Sequence, residues 1–334
     1  MKPTRIVLLA ALLGCGSSSP SAGTSSSGAG GGTGGEGGSP FSSGTSSVST
    51  SSGATTDCSE AAQLVYLLSL ENDLYTFAPE TLEITEVGAL DCPTDSEPYD
   101  MAVGRDGAAW VVMIDGSLFE LDTATAHCKP STYAYDDSGF GFGGLAFVRD
   151  LDGTETLYTS TRERANGQGA CSCGTATDDD GTVTCFPIGK GLATVDLMPL
   201  QIAPIADYTA GLVQQNLSFT GTGDGRLFGY FNGYPVQCGA SGAPSVPGIV
   251  HIDRDTGATP DFIPVEEVLV GQSSTWAFSF WGGDFWLYSS NGGNSRVTRH
   301  RYSGDGSFTV VVPDTGMRIV GASVSTCAPL EPIQ

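Results

Sequence analysis

The feature that most constrains this chain is a recurring module of three short apolar runs, the first two joined by a tight turn built on Asp-Gly or Gly-Gly. Its clearest copy runs from Pro98 to Asp122, where turns at Asp106-Gly107 and Asp115-Gly116 divide three strands. Glycine supplies the positive φ that a primed hairpin turn demands, and the β-branched and aromatic residues around it suit a pleated surface. The plan recurs three times. Gly144–Val148 leads through Asp152-Gly153 to Thr156–Thr159 and then Leu192–Asp196. Asn216–Phe219 leads through Asp224-Gly225 to Arg226–Tyr230 and Ile249–Asp253. Trp276–Phe280 leads through Gly282-Gly283 to Phe285–Tyr288 and Val297–Tyr302. Near the start, Leu64–Leu68 and Leu74–Phe77 form a second and third strand without a first.

The missing strand is supplied by Arg318–Val324 at the far end of the chain. Fourth strands follow the third, as in Ile84–Val87 and Phe308–Val311. Four-stranded units whose last strand completes the first predict an all-β propeller, in which ring closure removes exposed sheet edges. Five blades are expected, and six if two units have been merged. At 40 to 45 residues per blade the length alone would give more than five. Insertions at Arg162–Gly189 and Asn232–Pro247 account for the difference.

The Pro98 to Val111 wording, Pro-x-x-x-Ala-Val-x-x-Asp-Gly-x-x-Trp-Val, resembles blades of NHL-repeat, streptogramin-lyase-like and gluconolactonase-like propellers. The resemblance covers one blade and a rhythm, so it implies fold and not function.

Before this region the texture is different. Lys2 and Arg5 precede an apolar run, Ile6–Leu13, that closes on Leu12-Leu13-Gly14-Cys15. It is too short for the ~20 residues of a spanning helix. The pattern resembles bacterial lipoprotein signal sequences. That resemblance implies a signal peptide over 1–14, cleavage before Cys15 and acylation of its thiol and new amino terminus; Gly16 in place of Asp favours the outer membrane. Residues 15–57 read as the lipidated cysteine plus a Ser/Gly-rich linker that cannot bury a core. As a coil of about 42 residues it would span ~36 Å. The propeller domain is assigned to 58–334.

Charge narrows the partners. Without Lys2 and Arg5, 12 of the 14 basic residues remain against 37 acidic ones. Such a surface repels nucleic acid and anionic headgroups, which leaves the N-terminal lipid as the membrane contact and a protein or glycan as the expected partner. Nine cysteines become eight once Cys15 is given to lipid. An even number outside the cytoplasm reads as disulfides. Cys58 with Cys327 would latch the closure and Cys92 with Cys128 would join neighbouring blades, leaving Cys171, Cys173, Cys185 and Cys238 to pair among themselves.

Signals for catalysis are thin. There is no Gly-x-Ser-x-Gly elbow, P-loop, His-Glu-x-x-His helix or dinucleotide fingerprint. His127, His251 and His300 sit in or beside third strands and read as partly exposed strand residues. Asp100, Asn216 and Ser279 fall where inner strands meet a central channel, but their spacing names no metal. Asp150-Leu151-Asp152 occupies a hairpin turn and reads as that, not as a calcium loop; Asp178–Gly181 lies in an insertion. Trp281, at a turn, is the one aromatic placed to stack on a ligand. The expected protein is therefore a non-catalytic, lipid-anchored binding or scaffold propeller without cofactor. The alternative is a metal-dependent hydrolase or lyase that uses the channel.

Overall fold

The structure, a computed structural model, describes residues 58, 61–133, 140–163, 175–177, 183–185, 189–208, 216–231, 246–266 and 275–332. The signal peptide, Cys15 and the linker lie outside them, as do Asp178–Gly181, Cys171, Cys173 and Cys238, and with these the pairing expected of the four insertion cysteines.

In chain order the strands are β1 (Val65–Ser69), β2 (Asp73–Ala78), β3 (Glu83–Ala89), β4 (Pro98–Val103), β5 (Ala108–Met113), β6 (Leu118–Asp122) and β7 (Cys128–Pro130). Then come β8 (Phe140–Arg149), β9 (Glu155–Glu163), β10 (Thr175–Thr177), β11 (Val183–Cys185), β12 (Gly189–Leu197) and β13 (Leu200–Asp207). The rest are β14 (Ser218–Gly221), β15 (Leu227–Phe231), β16 (Gly248–Ile252), β17 (Asp261–Pro264), β18 (Thr275–Trp281), β19 (Asp284–Ser290), β20 (Arg296–His300), β21 (Phe308–Val312) and β22 (Ile319–Val324). They make five four-stranded antiparallel sheets, with β10 and β11 as a separate pair inside the third. Blade 1 runs β22-β1-β2-β3, blade 2 β4 to β7, blade 3 β8-β9-β12-β13, blade 4 β14 to β17 and blade 5 β18 to β21. The inner strands touch in the cyclic order β22, β4, β8, β14, β18 and back to β22, a closed five-bladed propeller.

Blade 1 is completed as the sequence predicts. β22 pairs antiparallel with β1, Val65 opposite Val324 and Leu67 opposite Ala322. Cys58–Cys327 bonds beside this junction, and Cys92–Cys128 ties the end of blade 1 to blade 2.

The Asp-Gly turns differ in type from the primed turn expected. Around Gly107 the loop closes by Gly107 N–H to Gly104 C=O at 3.1 Å and Gly104 N–H to Ala108 C=O at 2.8 Å. Only the glycine has positive φ, 85° at Gly107 and 87° at Gly225. This is a type I turn followed by a left-handed glycine, the longer hairpin solution. The aspartate decides it: Asp106 Oδ1 accepts the Ala108 N–H at 2.9 Å, and Asp152 and Asp305 do the same two residues ahead. Such local caps hold aspartate in the right-handed region. Gly282 and Gly283, at φ 63° and 76°, do make the two-residue primed turn, since Trp281 pairs directly with Asp284.

Aromatic side chains fill the spaces between blades. Phe228, Tyr230, Phe278, Phe280 and Phe285 pack blade 4 on blade 5. Phe77 lies edge-on to Trp286 and Tyr288 between blades 1 and 5. Inner strands are closer still. A Cβ at Gly144 would lie 2.3 Å from the Leu217 carbonyl oxygen, and one at Gly221 only 1.9 Å from that of Phe147. Glycine is thus what lets β8 and β14 approach. Gly221→Ala should lower stability by about 2–3 kcal/mol, as overpacking against backbone does; urea unfolding of the domain measures it.

Candidate functional site

Each inner strand starts at one end of the propeller and stops at the other, where in blades 2 to 5 the turn to the second strand carries Asp-Gly or Gly-Gly. We call these the far end and the Asp-Gly end.

On the axis, nearer the far end, sits Asp100 of β4, buried to 1% exposure. Its Oδ1 accepts the Met101 N–H at 2.9 Å, and its Oδ2 accepts the Leu145 N–H and the Ser218 hydroxyl, both at 3.3 Å. The Ala322 N–H is also directed at it. One carboxyl therefore joins blade 2 to blades 3, 4 and 1. Burial, which outweighs these donors, pushes its pKa up to about 8. That shift favours the acid at neutral pH, and in the acid the contact with Ser218 reverses, the carboxyl donating to Oγ while the three N–H groups remain its donors.

The axis is filled around this point. Gly321 lies against Asp100, its Cβ position 3.1 Å from the Asp100 Cα. Val103 N–H donates to Ser323 Oγ at 3.0 Å, joining β4 to β22. Phe280 N–H donates to Thr220 Oγ1 at 3.1 Å, joining β18 to β14. Three N–H groups and the Ser218 hydroxyl enclose the carboxyl where a metal would need open lone pairs, so the geometry gives Asp100 the part of a buried knot and not of a ligand. Ser279, the second axial candidate, is buried and shares a hydrogen bond with Tyr288 Oη at 3.1 Å. Asn216 stands just before β14 with its Oδ1 buried. The three are brought to the axial layer as the strand pattern predicts, but they form no joint site.

The Asp-Gly end is closed by Glu155. Its carboxylate accepts the Arg105 N–H at 3.0 Å and the Thr326 hydroxyl, bringing blades 2, 3 and 1 together. Burial raises its pKa. Arginines brace the junctions beside it. Arg105 donates to the Gly153 carbonyl at 3.1 Å, and Arg254 pairs with Asp150 at 2.8 Å. Arg226 lies over Phe280 and Tyr302 at 5.3 and 5.9 Å while bound to Asp224.

Among the described residues no three of His, Cys, Asp and Glu gather as a metal would require. His127 meets Asp91 at 2.6 Å on the surface, and His251 lies 3.8 Å from Asp261. His300 departs from the partly exposed position expected of it. It is buried between Phe308 and Phe285, stacked at 4.1 and 6.1 Å, and burial lowers its pKa. Trp281 is 8% exposed and its indole N–H donates to the Gln63 carbonyl at 3.0 Å, so its ring packs the junction of blades 5 and 1. Asp152 is spent on its own turn, accepting from the Thr154 hydroxyl at 2.6 Å, and Asp150 accepts from the Thr156 hydroxyl at 2.7 Å beside its ion pair with Arg254.

Toward the far end, blades 3, 4 and 5 carry buried hydroxyls that sequence reasoning missed. Ser160, Tyr208, Tyr230 and Ser289 each bury a hydroxyl without a hydrogen bond of good geometry. Ser160 is nonetheless close enough to Tyr208 to temper the rise that burial imposes on the phenol. Their signal was absent because serine and tyrosine on strands read equally well as surface residues. Both large insertions open at this end, since β9 stops and β12 starts there, as do β15 and β16.

No protein-family model matches the chain, and no curated protein matches it. Solved structures are similar in fold. A gluconolactonase from Xanthomonas campestris is 15% identical, with TM-score 0.43 over 78% of this chain and 75% of that one. A chain of a nidogen/laminin complex is 12% identical, with TM-score 0.42 over 80% and 81%. A calcium-binding protein, regucalcin, from Agrobacterium tumefaciens is 14% identical, with TM-score 0.36 over 80% and 72%. At these levels the likenesses carry no functional argument, and the propeller stands on this chain's own topology.

Proposed function

We propose that this propeller is lipid-anchored through Cys15, extracytoplasmic on the outer membrane, and binds a protein or glycan partner at its far end without chemistry on its axis. The observation that carries the reading is Asp100, whose carboxyl is enclosed by three N–H groups and the Ser218 hydroxyl. A channel hydrolase or lyase would need that carboxyl's lone pairs for its metal. Binding function on a rigid scaffold is placed where connections vary, and the insertions open at the far end.

Two measurements test it. Feeding cells an alkyne fatty acid should label the wild-type protein and leave Cys15→Ser unlabelled, with acyl mass on the peptide that begins at Cys15. A photo-cross-linking residue at Ile114, half-exposed on the far-end turn of blade 2, should capture a specific protein or glycan in cells. Absence of acyl mass would sink the anchor. A purified domain that hydrolyses lactones or esters only with added divalent metal, and loses this in Asp100→Asn, would overturn the binding reading.

A further inference from the structure

Leu151 and Met198 are 106% and 94% exposed, whereas the next large apolar side chain among the described residues, Ile114, is 49% exposed. Both belong to blade 3 and to the Asp-Gly end. Leu151 tops the β8–β9 turn and Met198 the β12–β13 turn, and these turns are neighbours because β9 pairs with β12, Leu157 opposite Val195.

The Leu151 turn is firmly built. Gly153 N–H donates to the Asp150 carbonyl at 3.0 Å, and Asp150 N–H to the Thr154 carbonyl at 2.8 Å. Asp150 turns its carboxylate inward to Thr156 and Arg254, and Asp152 turns its own to Thr154. What this frame leaves projecting is leucine. Each methylene removed from water strengthens an association roughly fourfold. A leucine and a methionine on adjacent fixed turns form a small but directed apolar contact.

The covering surface is indicated by where the rest of the chain attaches. Cys58, the point at which the preceding 57 residues join the propeller, is bonded to Cys327 at the Asp-Gly end, where Thr326 meets Glu155. A tether of about 42 residues spans ~36 Å. We infer that Leu151 and Met198 dip into the lipid surface to which Cys15 is attached, so the propeller stands with its Asp-Gly end toward the bilayer and its far end outward. This rests on the lipid anchor proposed above. With Lys2 and Arg5 removed, 12 basic residues face 37 acidic ones, a formal charge of −25 that disfavours an anionic surface and makes the contact apolar instead of electrostatic.

The test uses full-length acylated protein in vesicles of phosphatidylethanolamine and phosphatidylcholine, a fraction of the latter carrying a diazirine in its acyl chain. Acylation is confirmed first, by the mass of the Cys15 peptide. On illumination, peptides 149–156 and 196–201 should cross-link to lipid at least tenfold more than peptide 113–118, which carries Ile114. Leu151→Ser/Met198→Ser should lose that excess while staying bound and retaining its Tm. Acylated protein whose blade 3 peptides show no excess overturns the docking and leaves the anchor standing. Unacylated Cys15 overturns both. Cross-links from these turns to a second copy, with dimers in sedimentation, would assign the patch to self-association and reject the lipid contact.

Discussion

Asp100→Ala should destabilise the propeller by about 3–5 kcal/mol. It strips the acceptor from the Leu145 and Ala322 N–H groups and the Ser218 hydroxyl, each costing ~1–3 kcal/mol when left unpaired in a dry interior. Asp100→Asn keeps the shape but turns an amide NH2 toward donors, and should cost less. The two variants separate space from charge.

The pH profile then tests the protonation state. In the unfolded chain an aspartate titrates near 3.9, whereas in the fold Asp100 is raised to about 8. Folding thus favours the protonated acid. Its contribution is fully present below about pH 4, declines as pH rises through the window from 4 to 8, and is flat above it. Wild-type stability should fall by several kcal/mol more than that of Asp100→Asn across this window, as measured by urea unfolding at each pH. Parallel profiles would show that Asp100 is ionised in the fold and that its four donors win.

Why so much of the fold was legible, and so little of the site, follows from what each depends on. Strand alternation and turn glycine are local, and β4, β5 and β6 lie where Pro98 to Asp122 placed them. Even the closure was readable, because blade 1 lacked a strand that 318–324 could supply. Turn type was not, since Asp106 and its relatives choose a type I geometry through bonds to N–H groups two residues on. The axial layer escaped for another reason. Whether Asp100 lines an open channel or plugs a closed one depends on blade number and on glycines that let β8 and β14 approach. Five blades draw the inner strands together until one carboxyl reaches three other blades. Glu155 was missed because its partner Thr326 is 171 residues away.

Replacing Cys58 and Cys327 together by serine should cost up to about 5 kcal/mol, because the bond spans a sequence separation of 269, the longer of the two loops closed by disulfides among the described residues. The same change at Cys92 and Cys128, separated by 36, closes a shorter loop and should cost less. The mechanism predicts where the first variant opens. β22 is the only strand of blade 1 drawn from the C-terminal end of the chain, and its release bares β1, a fully buried strand of five residues. Beside its ladder with β1, what remains to hold it is the Val103 N–H on Ser323 Oγ and its own Ile319 and Ala322 N–H groups on Ser295 and Asp100, with Ser325 on the Ala62 carbonyl and Thr326 on Glu155 just beyond its end. Hydrogen exchange should therefore rise first in β22 and β1 while β9 and β12 stay protected. The exposed edge of β1 should make this variant aggregate near its midpoint, as unpaired apolar edges do. Uniform loss of protection in all five blades would instead mean that the disulfide acts only on the unfolded chain, and that the closure is held by packing against blades 5 and 2.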